Sequence, residues 1–437
     1  MMTSLNNNLA AQKTESDKIV DSTQLSTNQN IWTRKTLSGN WGGARTDVKE
    51  FGISLKASIT NFYQGMTSGE GNNSFEFGSK LMGTVFLNAE KLGLWKGFFT
   101  VLRFEYNMGH SVNQRGGVLL PVNTALMYPG IEGKDRSDMS FYLIQFLSKS
   151  DKILVGKLNT IDLTNFSSFK GGLGVNNFQN IALVPSPNGI TTPSVFGGFY
   201  MSQNDKRDIT IAVYDANNRL NKIGFKDLFT DGVTFFGSFD LVTHIFGKKG
   251  HHGIMGSVST KDVIDTHDLI GFLPGQTLEK KSNRWFLAYY FDQTLYQNPS
   301  NKKQTFGLFG QFVKNDGHGT PLDFSFVIGV GGTSLFKSRP LDRWGIGYFH
   351  YNVSKSLGGL VIPDIPLEPI IPGIPDITGS KIAEKEAGVE VFYNAFLTPW
   401  FSIGVNFQWI SPGFSELPSG VSNSSVTYFG LRNMIKF

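Results

Sequence analysis

The chain contains no cysteine, so neither a disulfide framework nor a thiolate metal site is available to it. It has no run of 18 apolar residues either, which excludes a membrane protein built of helices. Charge is sparse and nearly balanced. Forty Lys and Arg against 35 Asp and Glu leave +5 over 437 residues, scattered rather than gathered, which argues against a nucleic-acid surface. Met1–Asn30 lacks the apolar centre of a secretion signal and is rich in Asn, Gln, Ser and Thr, so it reads as a flexible polar tail. An exported chain with this start is expected to have lost its address or to begin further upstream. Motifs for chemistry are scarce as well. There is no phosphate loop and no Gly-x-Ser-x-Gly elbow, and Gly171-Gly-Leu-Gly174 lacks the third glycine of a dinucleotide fingerprint. His251-His252, in a predicted short turn Gly247–His252 beside Lys248-Lys249, has no third ligand nearby. No catalytic set, metal or cofactor is expected.

What the chain does have is aromatic residues and glycine: 38 Phe and 50 Gly favour strands and tight turns over helices. A mean hydropathy of −0.13 looks soluble, but in a transmembrane barrel every second residue faces the lumen and stays polar, so the average does not exclude one. The last 38 residues show the pattern most openly. Phe401, Ile403, Val405, Phe407 and Trp409 alternate with Ser402, Gly404, Asn406 and Gln408, a period of two with one apolar face. After a loop at Ser411–Ser425, Phe429, Leu431, Ile435 and Phe437 share one face, and Gly430, Arg432, Met434 and Lys436 the other; Asn433 interrupts the apolar run. Lipid would bury such a face, and Phe437 reads as the terminal aromatic by which the barrel assembly machinery recognises its clients.

Working forward, Ala44–Phe51 is expected to form a short helix closed by Gly52. Alternating segments of about ten residues follow, the length that crosses a bilayer at a tilt. They are Gly52–Phe62, Ser79–Lys91, Phe98–Met108, Met139–Leu147, Lys152–Leu158, Val195–Ser202, Asp208–Asp215, Gly232–Phe246, Gly253–Thr260, Arg284–Tyr296, Thr305–Lys314, Asp323–Gly331, Trp344–Ser354, Gly388–Leu397, Phe401–Ile410 and Val426–Phe437, sixteen in all. Their connections alternate in length. Leu92–Gly97, Ser148–Asp151, Gln203–Arg207 and Thr398–Trp400 are short, as periplasmic turns are; Gly109–Asp138, Asn159–Ser194, Lys261–Asn283 and Ser356–Ala387 are long, as external loops are. The expected fold is therefore all-β: a transmembrane antiparallel barrel of about 16 strands over 53–437, preceded by a periplasmic segment at 31–52 and the tail at 1–30. In one external loop Pro363, Pro366, Pro369, Pro372 and Pro375 recur every third residue, which suits a stiff polyproline II rod.

These residues resemble the OprB family of bacterial carbohydrate-selective porins. The resemblance rests on Leu37-Ser-Gly-Asn-Trp41-Gly-Gly-Ala-Arg45 followed by Phe51-Gly-Ile53, on Gly156-Lys157-Leu158, on Arg339-Pro340-Leu-Asp342-Arg-Trp-Gly345-Ile-Gly347-Tyr348, and on Leu397-Thr-Pro399-Trp400 with Gln408-Trp-Ile-Ser-Pro412-Gly413. It spans about Leu37 to Phe437. It implies a sixteen-stranded outer-membrane barrel that passes sugars and small polar solutes, with outer-membrane lipid and the barrel assembly machinery as partners and a homotrimer as one assembly it allows. It also implies that the third external loop folds into the barrel. The proline loop and the polar tail depart from the family's pattern.

Selectivity in such a channel is set by polar side chains at its narrowest point. In Phe98–Met108, Phe98, Leu102, Phe104 and Tyr106 take one face, so Arg103 and Glu105 are expected to face the lumen, because a basic residue facing mid-bilayer lipid costs ~2–4 kcal/mol. Lys56, Lys157, Glu390, Arg432 and Lys436 are assigned inward by the same parity. The third external loop adds Asp162 and Lys170 to the constriction candidates, and Phe166, Phe169 and Phe178 as rings that could stack on a pyranose. A passive sugar channel, a general or anion-favouring pore, a surface adhesin on a barrel scaffold and a soluble multi-domain β protein all remain open at this point.

Overall fold

Alternation of apolar and polar residues commits most of the chain to strands, and turn chemistry separates them. The computed structural model describes residues 30–437 apart from 72, 114, 128–135, 164–166, 168, 186, 188–191, 223, 265–278, 321, 335, 337, 355–356, 362–378 and 419. The expected tail, Phe166 and the proline repeat thus fall wholly or almost wholly outside the described residues. Sixteen strands close one antiparallel barrel. In chain order they are β1 (Ile53–Ser68), β2 (Phe75–Asn88), β3 (Phe98–Gly109), β4 (Arg136–Phe146), β5 (Asp151–Asn159), β6 (Ser194–Gln203), β7 (Arg207–Asp215), β8 (Val233–Ile245), β9 (Lys248–Ser259), β10 (Arg284–Gln297), β11 (Thr305–Asn315), β12 (Leu322–Thr333), β13 (Arg343–Val353), β14 (Lys385–Thr398), β15 (Phe401–Ser411) and β16 (Val426–Lys436). Each expected strand is found. Two short two-stranded ribbons, Val263–Ile264 with Lys280–Lys281 and Lys381–Ile382 with Phe414–Glu416, lie in the loops.

The period of two sorts the faces. On β15, Ile403, Val405, Phe407 and Trp409 are exposed outward, while Ser402, Asn406 and Gln408 are buried inside. All the turns at one end are short, and the long loops gather at the other. One turn is tighter than the sequence suggests. Instead of Gly247–His252, the β8–β9 hairpin turns on Phe246 and Gly247 alone, both at positive φ (51° and 69°), the conformation that two-residue hairpins need. His251 and His252 therefore sit in β9, His251 against Asp292 inside at 2.8 Å and His252 against the Tyr289 hydroxyl outside at 2.6 Å.

The barrel closes where β1 pairs with β16, Thr60 opposite Met434 and Phe62 opposite Arg432. The segment before β1 covers the short-turn end of this seam. Its helix α1 spans Ala44–Phe51, with Gly52 left-handed past its end at φ 113°. Ahead of it Trp41, Gly42 and Gly43 all take positive φ (53°, 69° and 115°). A Cβ on either glycine would meet nothing within 4 Å, so the backbone conformation demands glycine there, not lack of space. That bend delivers Arg45 to the seam. Its Nη1 donates to Thr36 Oγ1 (2.6 Å) and Gly39 O (3.0 Å), and its Nη2 donates to Phe437 O (2.8 Å). Leu37 N donates to Lys436 O at 2.7 Å, and Trp400 Nε1 to Ile31 O at 2.7 Å. Arg45→Ala removes the centre of this clasp. It should cost about 1.5–3 kcal/mol, the range for hydrogen bonds to a charged group, and lower the temperature at which the folded-barrel band is lost on gels. An unshifted temperature would mean that the strand ladder alone holds the seam.

Candidate pore constriction

The loop joining β5 to β6, residues 160–193, is described apart from 164–166, 168, 186 and 188–191, and its glycines let it coil. Gly171, Gly172 and Gly174 have φ of 79°, 82° and 75°. The loop leaves β5 through a single helical turn, α2 (Thr160–Leu163), and crosses the lumen to the opposite wall. There, inward glycines make room for it. A Cβ on Gly307 would lie 2.2 Å from the Phe169 ring, and one on Gly345 or Gly347 would lie 2.7 Å from Phe178 or Leu183. Phe178 packs edge-on against Phe392 (centroids 4.8 Å apart) and Phe309 (5.6 Å). Gly307→Val should therefore displace Phe169, loosen the loop and raise the conductance of single channels; an unaltered conductance would show that the wall yields instead.

Charged residues pin the loop at its far side. Glu390, fully buried on β14, accepts from Gln179 N at 2.6 Å, Asn180 N at 2.9 Å and Asn406 Nδ2 at 2.6 Å. Arg432 on β16 donates to Asn177 O at 2.5 Å and to Asn394 Oδ1 at 2.8 Å. Lys170 donates to Gln311 Oε1 at 2.6 Å, and burial in the loop lowers its ammonium to about 7. The β3–β4 loop folds in beside it. Thr124 bonds Gln179 O through its N–H and hydroxyl, Gln408 Nε2 donates to Val122 O at 2.8 Å, and Glu386 accepts from Leu119 N at 2.7 Å.

At the root of the crossing loop four charges meet. Arg103 bonds Glu105 and lies 3.0 Å from Asp162, while Lys80 lies 2.8 Å from Glu105. Asn159 Nδ2 donates to the same carboxylate at 3.3 Å. Two cations and two anions cancel, which is what allows charges to be 4–8% exposed on β2 and β3 without an unpaired burial cost. Burial pushes the Asp162 carboxyl up to about 6, against the pull of Arg103.

Arg103, Glu105 and Asp162, three of the constriction candidates, meet in one cluster, a contact that the sequence reading does not contain. Lys170, Glu390 and Arg432 lie inside the barrel but serve the loop's attachment. Lys56 and Lys436 border the lumen near the short turns. Three expectations need correction. Lys157 is not inward by parity: it stands opposite Phe141 on the outward face with exposed Ile153 and Val155. The β4–β5 ladder stops at that pair, and the ammonium passes its end to reach Asp138 at 2.7 Å. Phe169 and Phe178, 3% and 0% exposed, are packing residues without a ring face free for a sugar. Lys80 was missed, although its parity with Met82 and Thr84 marks it as inward; what was lacking was the register that sets it diagonally from Glu105. Glu386 shares the parity of Glu390 but precedes the expected strand start at Gly388, and Gln179 carries no signal, since its partners are distant in sequence.

A family model described as carbohydrate-selective porin, OprB family, matches residues 78–437. Among solved structures, OprB of Pseudomonas putida at high pH superposes with a TM-score of 0.76 at 18% identity, over 94% of this chain and 100% of that one. The low-pH structure of the same protein superposes with a TM-score of 0.54 at 12% identity, over 93% and 99%. These likenesses show the fold. No curated protein sequence matches the chain.

Proposed function

Because the chain belongs to the OprB family of carbohydrate-selective porins, we propose that it is a passive outer-membrane channel for sugars and other small hydrophilic solutes. The short turns then face the periplasm and the long loops the outside. Family and fold indicate a channel rather than an enzyme. The observation that carries the reading is the loop at 160–193 laid across the lumen, with the neutral charge cluster of Lys80, Arg103, Glu105 and Asp162 at its root. Such a loop divides the water path, so a solute has to pass close to fixed donors and acceptors. Because the cluster has no net charge, it offers hydrogen bonds to hydroxyls without selecting strongly for an ion. Arg103 contributes donors, and the two carboxylates contribute acceptors. On this reading no energy source is needed, because solutes move down their own gradient through sites that bind weakly enough to release them.

Purified protein in a planar bilayer tests this. Glucose or a short oligosaccharide should reduce the ion current in a saturable way, and liposomes carrying the protein should swell in sugar solutions. A conducting channel whose current no sugar reduces would sink the sugar preference. Absence of swelling would show that the lumen is closed to solutes.

A further inference from the structure

One stretch of the barrel wall is not closed by its ladder. β4 and β5 pair from Phe146 opposite Lys152 to Phe141 opposite Lys157 and no further. Beyond that pair, towards the long loops, β4 keeps only β3, as far as Arg136 opposite Asn107, and β5 keeps only β6, as far as Asn159 opposite Ser194. Arg136–Ser140 of β4 and Leu158 and Asn159 of β5 therefore have an edge that, among the described residues, no strand covers. Gly156 sits just before the break at φ 142°, where a Cβ would lie 2.3 Å from Phe141 O. An open edge in a membrane barrel leaves backbone groups without partners, so something else has to fill it. Here the filling is small. Lys157 Nζ donates to Asp138 Oδ1 at 2.7 Å and to Lys222 O at 3.2 Å, and Asn221 N donates to the same Asp138 oxygen at 3.0 Å.

The two sides of the break differ in chemistry. On the lumen side it lies beside the charge cluster: Asp138 stands opposite Glu105 and Ser140 opposite Arg103, and Asn159 reaches the Glu105 carboxylate. On the other side the lining is aromatic. Phe196, directly opposite Lys157 on β6, faces outward, since Val195 and Phe199 belong to the inner wall. The loop joining β7 to β8 folds onto it, setting Phe225 and Phe229 edge-on to Phe196 with centroids 5.6 and 6.5 Å away. Arg219, 2% exposed, holds that fold by donating to Gly224 O, Lys226 O and Asp227 O. Phe225 is nevertheless 74% exposed.

We propose that this break is a side portal between the lumen and the outer leaflet, latched by Lys157 and Asp138, for amphiphiles with a sugar head and one alkyl chain. The head takes the hydrogen bonds of Arg103 and Glu105, and the chain lies along Phe196, Phe225 and Phe229. A free sugar uses the head site alone. Closed, the latch keeps ions in the lumen; only a solute that is polar at one end and apolar at the other matches both sides of the break. The portal rests on the channel reading for its lumen side, but not on a preference for free sugars.

Octyl glucoside and glucose, added separately from the long-loop side while single channels of the full chain conduct, test this. Kept below the concentration at which it forms micelles, octyl glucoside should half-block at about one-tenth the concentration of glucose or less, the gain that burying about two methylene groups gives. The chain has no cysteine, so introduced thiols are unique. Asp138→Cys with Lys157→Cys replaces the latch by two thiols that a short bis-methanethiosulfonate reagent joins and a reductant frees. Joining them should remove the advantage of octyl glucoside over glucose, and reduction should restore it. Phe225→Ser with Phe229→Ser, confined to a surface loop, should remove the same advantage if the thiol variant fails to assemble. A photoreactive octyl glucoside should label Phe196, Phe225 or Phe229 in lipid nanodiscs, a readout that needs no conduction. Equal potency of the two solutes in the unaltered chain would overturn the portal, as would an advantage that survives both the joined thiols and the serine variant. Label confined to other parts of the outer face would overturn it too. Block by octyl glucoside without any block by glucose would end the free-sugar preference and support the portal.

Discussion

Glu390→Ala should raise single-channel conductance severalfold and weaken sugar block. The carboxylate is fully buried and accepts from Gln179 N, Asn180 N and Asn406 Nδ2 at 2.6–2.9 Å. Each bond to a buried carboxylate contributes about 1.5–3 kcal/mol, and truncation also strands two backbone donors without an acceptor. This part of the loop is also held by Arg432 on Asn177 O, Thr124 on Gln179 O, Asn180 Nδ2 on Gln408 Oε1 and the Phe178 ring against Phe392 and Phe309. Detaching the segment lets it swing from the wall into the longer water path, so the lumen widens. Glu390→Gln keeps one acceptor and should fall between the two. Adding Arg432→Ala should enlarge the effect more than the single changes sum to, because both residues hold the same few loop residues. Bilayer recording decides it: normal conductance and normal block in Glu390→Ala would mean that the other bonds and the aromatic packing hold the loop without it.

Removing Arg103 should give the neutral cluster a preference for cations. With Lys80, Arg103, Glu105 and Asp162 all charged the sum is zero. Arg103→Gln makes it −1 and Glu105→Gln makes it +1, so reversal potentials in a salt gradient should move in opposite directions, towards cations in the first and anions in the second. The unaltered channel should show a related change with pH. Burial holds the Asp162 carboxyl at about 6, so acidification from above to below that value protonates it and takes the cluster from zero to +1. Anion preference should therefore rise as pH falls, and Asp162→Asn should remove the step. Shifts of the same sign in the two cluster variants, or a pH step that survives Asp162→Asn, would place the selective groups elsewhere.

Legibility in the sequence followed the range of the interactions. Arg103 and Glu105 could be read inward because their strand alternates cleanly, apolar Leu102 and Phe104 against charge. Lys157 could not be read the same way. Both faces of β5 are apolar, since the inner wall here carries Leu154 and Leu158 in one buried cluster with Val195 and Phe199. Hydrophobicity then stops distinguishing lipid from lumen, and only the pairing with Phe141 shows which is which. The helix before β1 was legible to its closing glycine because a helix end is a local event. The Phe246–Gly247 turn was not, because positive φ at a phenylalanine is dictated by the flanking ladders.

The sequence by itself determined the number, order and approximate limits of the strands, the sorting of short turns from long loops, and the candidate charges on β3. All of these depend on residues two to ten positions apart. Tertiary structure alone decided the constriction. The Glu390 carboxylate and the Gln179 amide it accepts from are 211 residues apart and meet only after β16 has closed on β1. A contact made by ring closure leaves no periodicity in the chain, because either partner alone looks like an ordinary polar residue on a strand or in a loop.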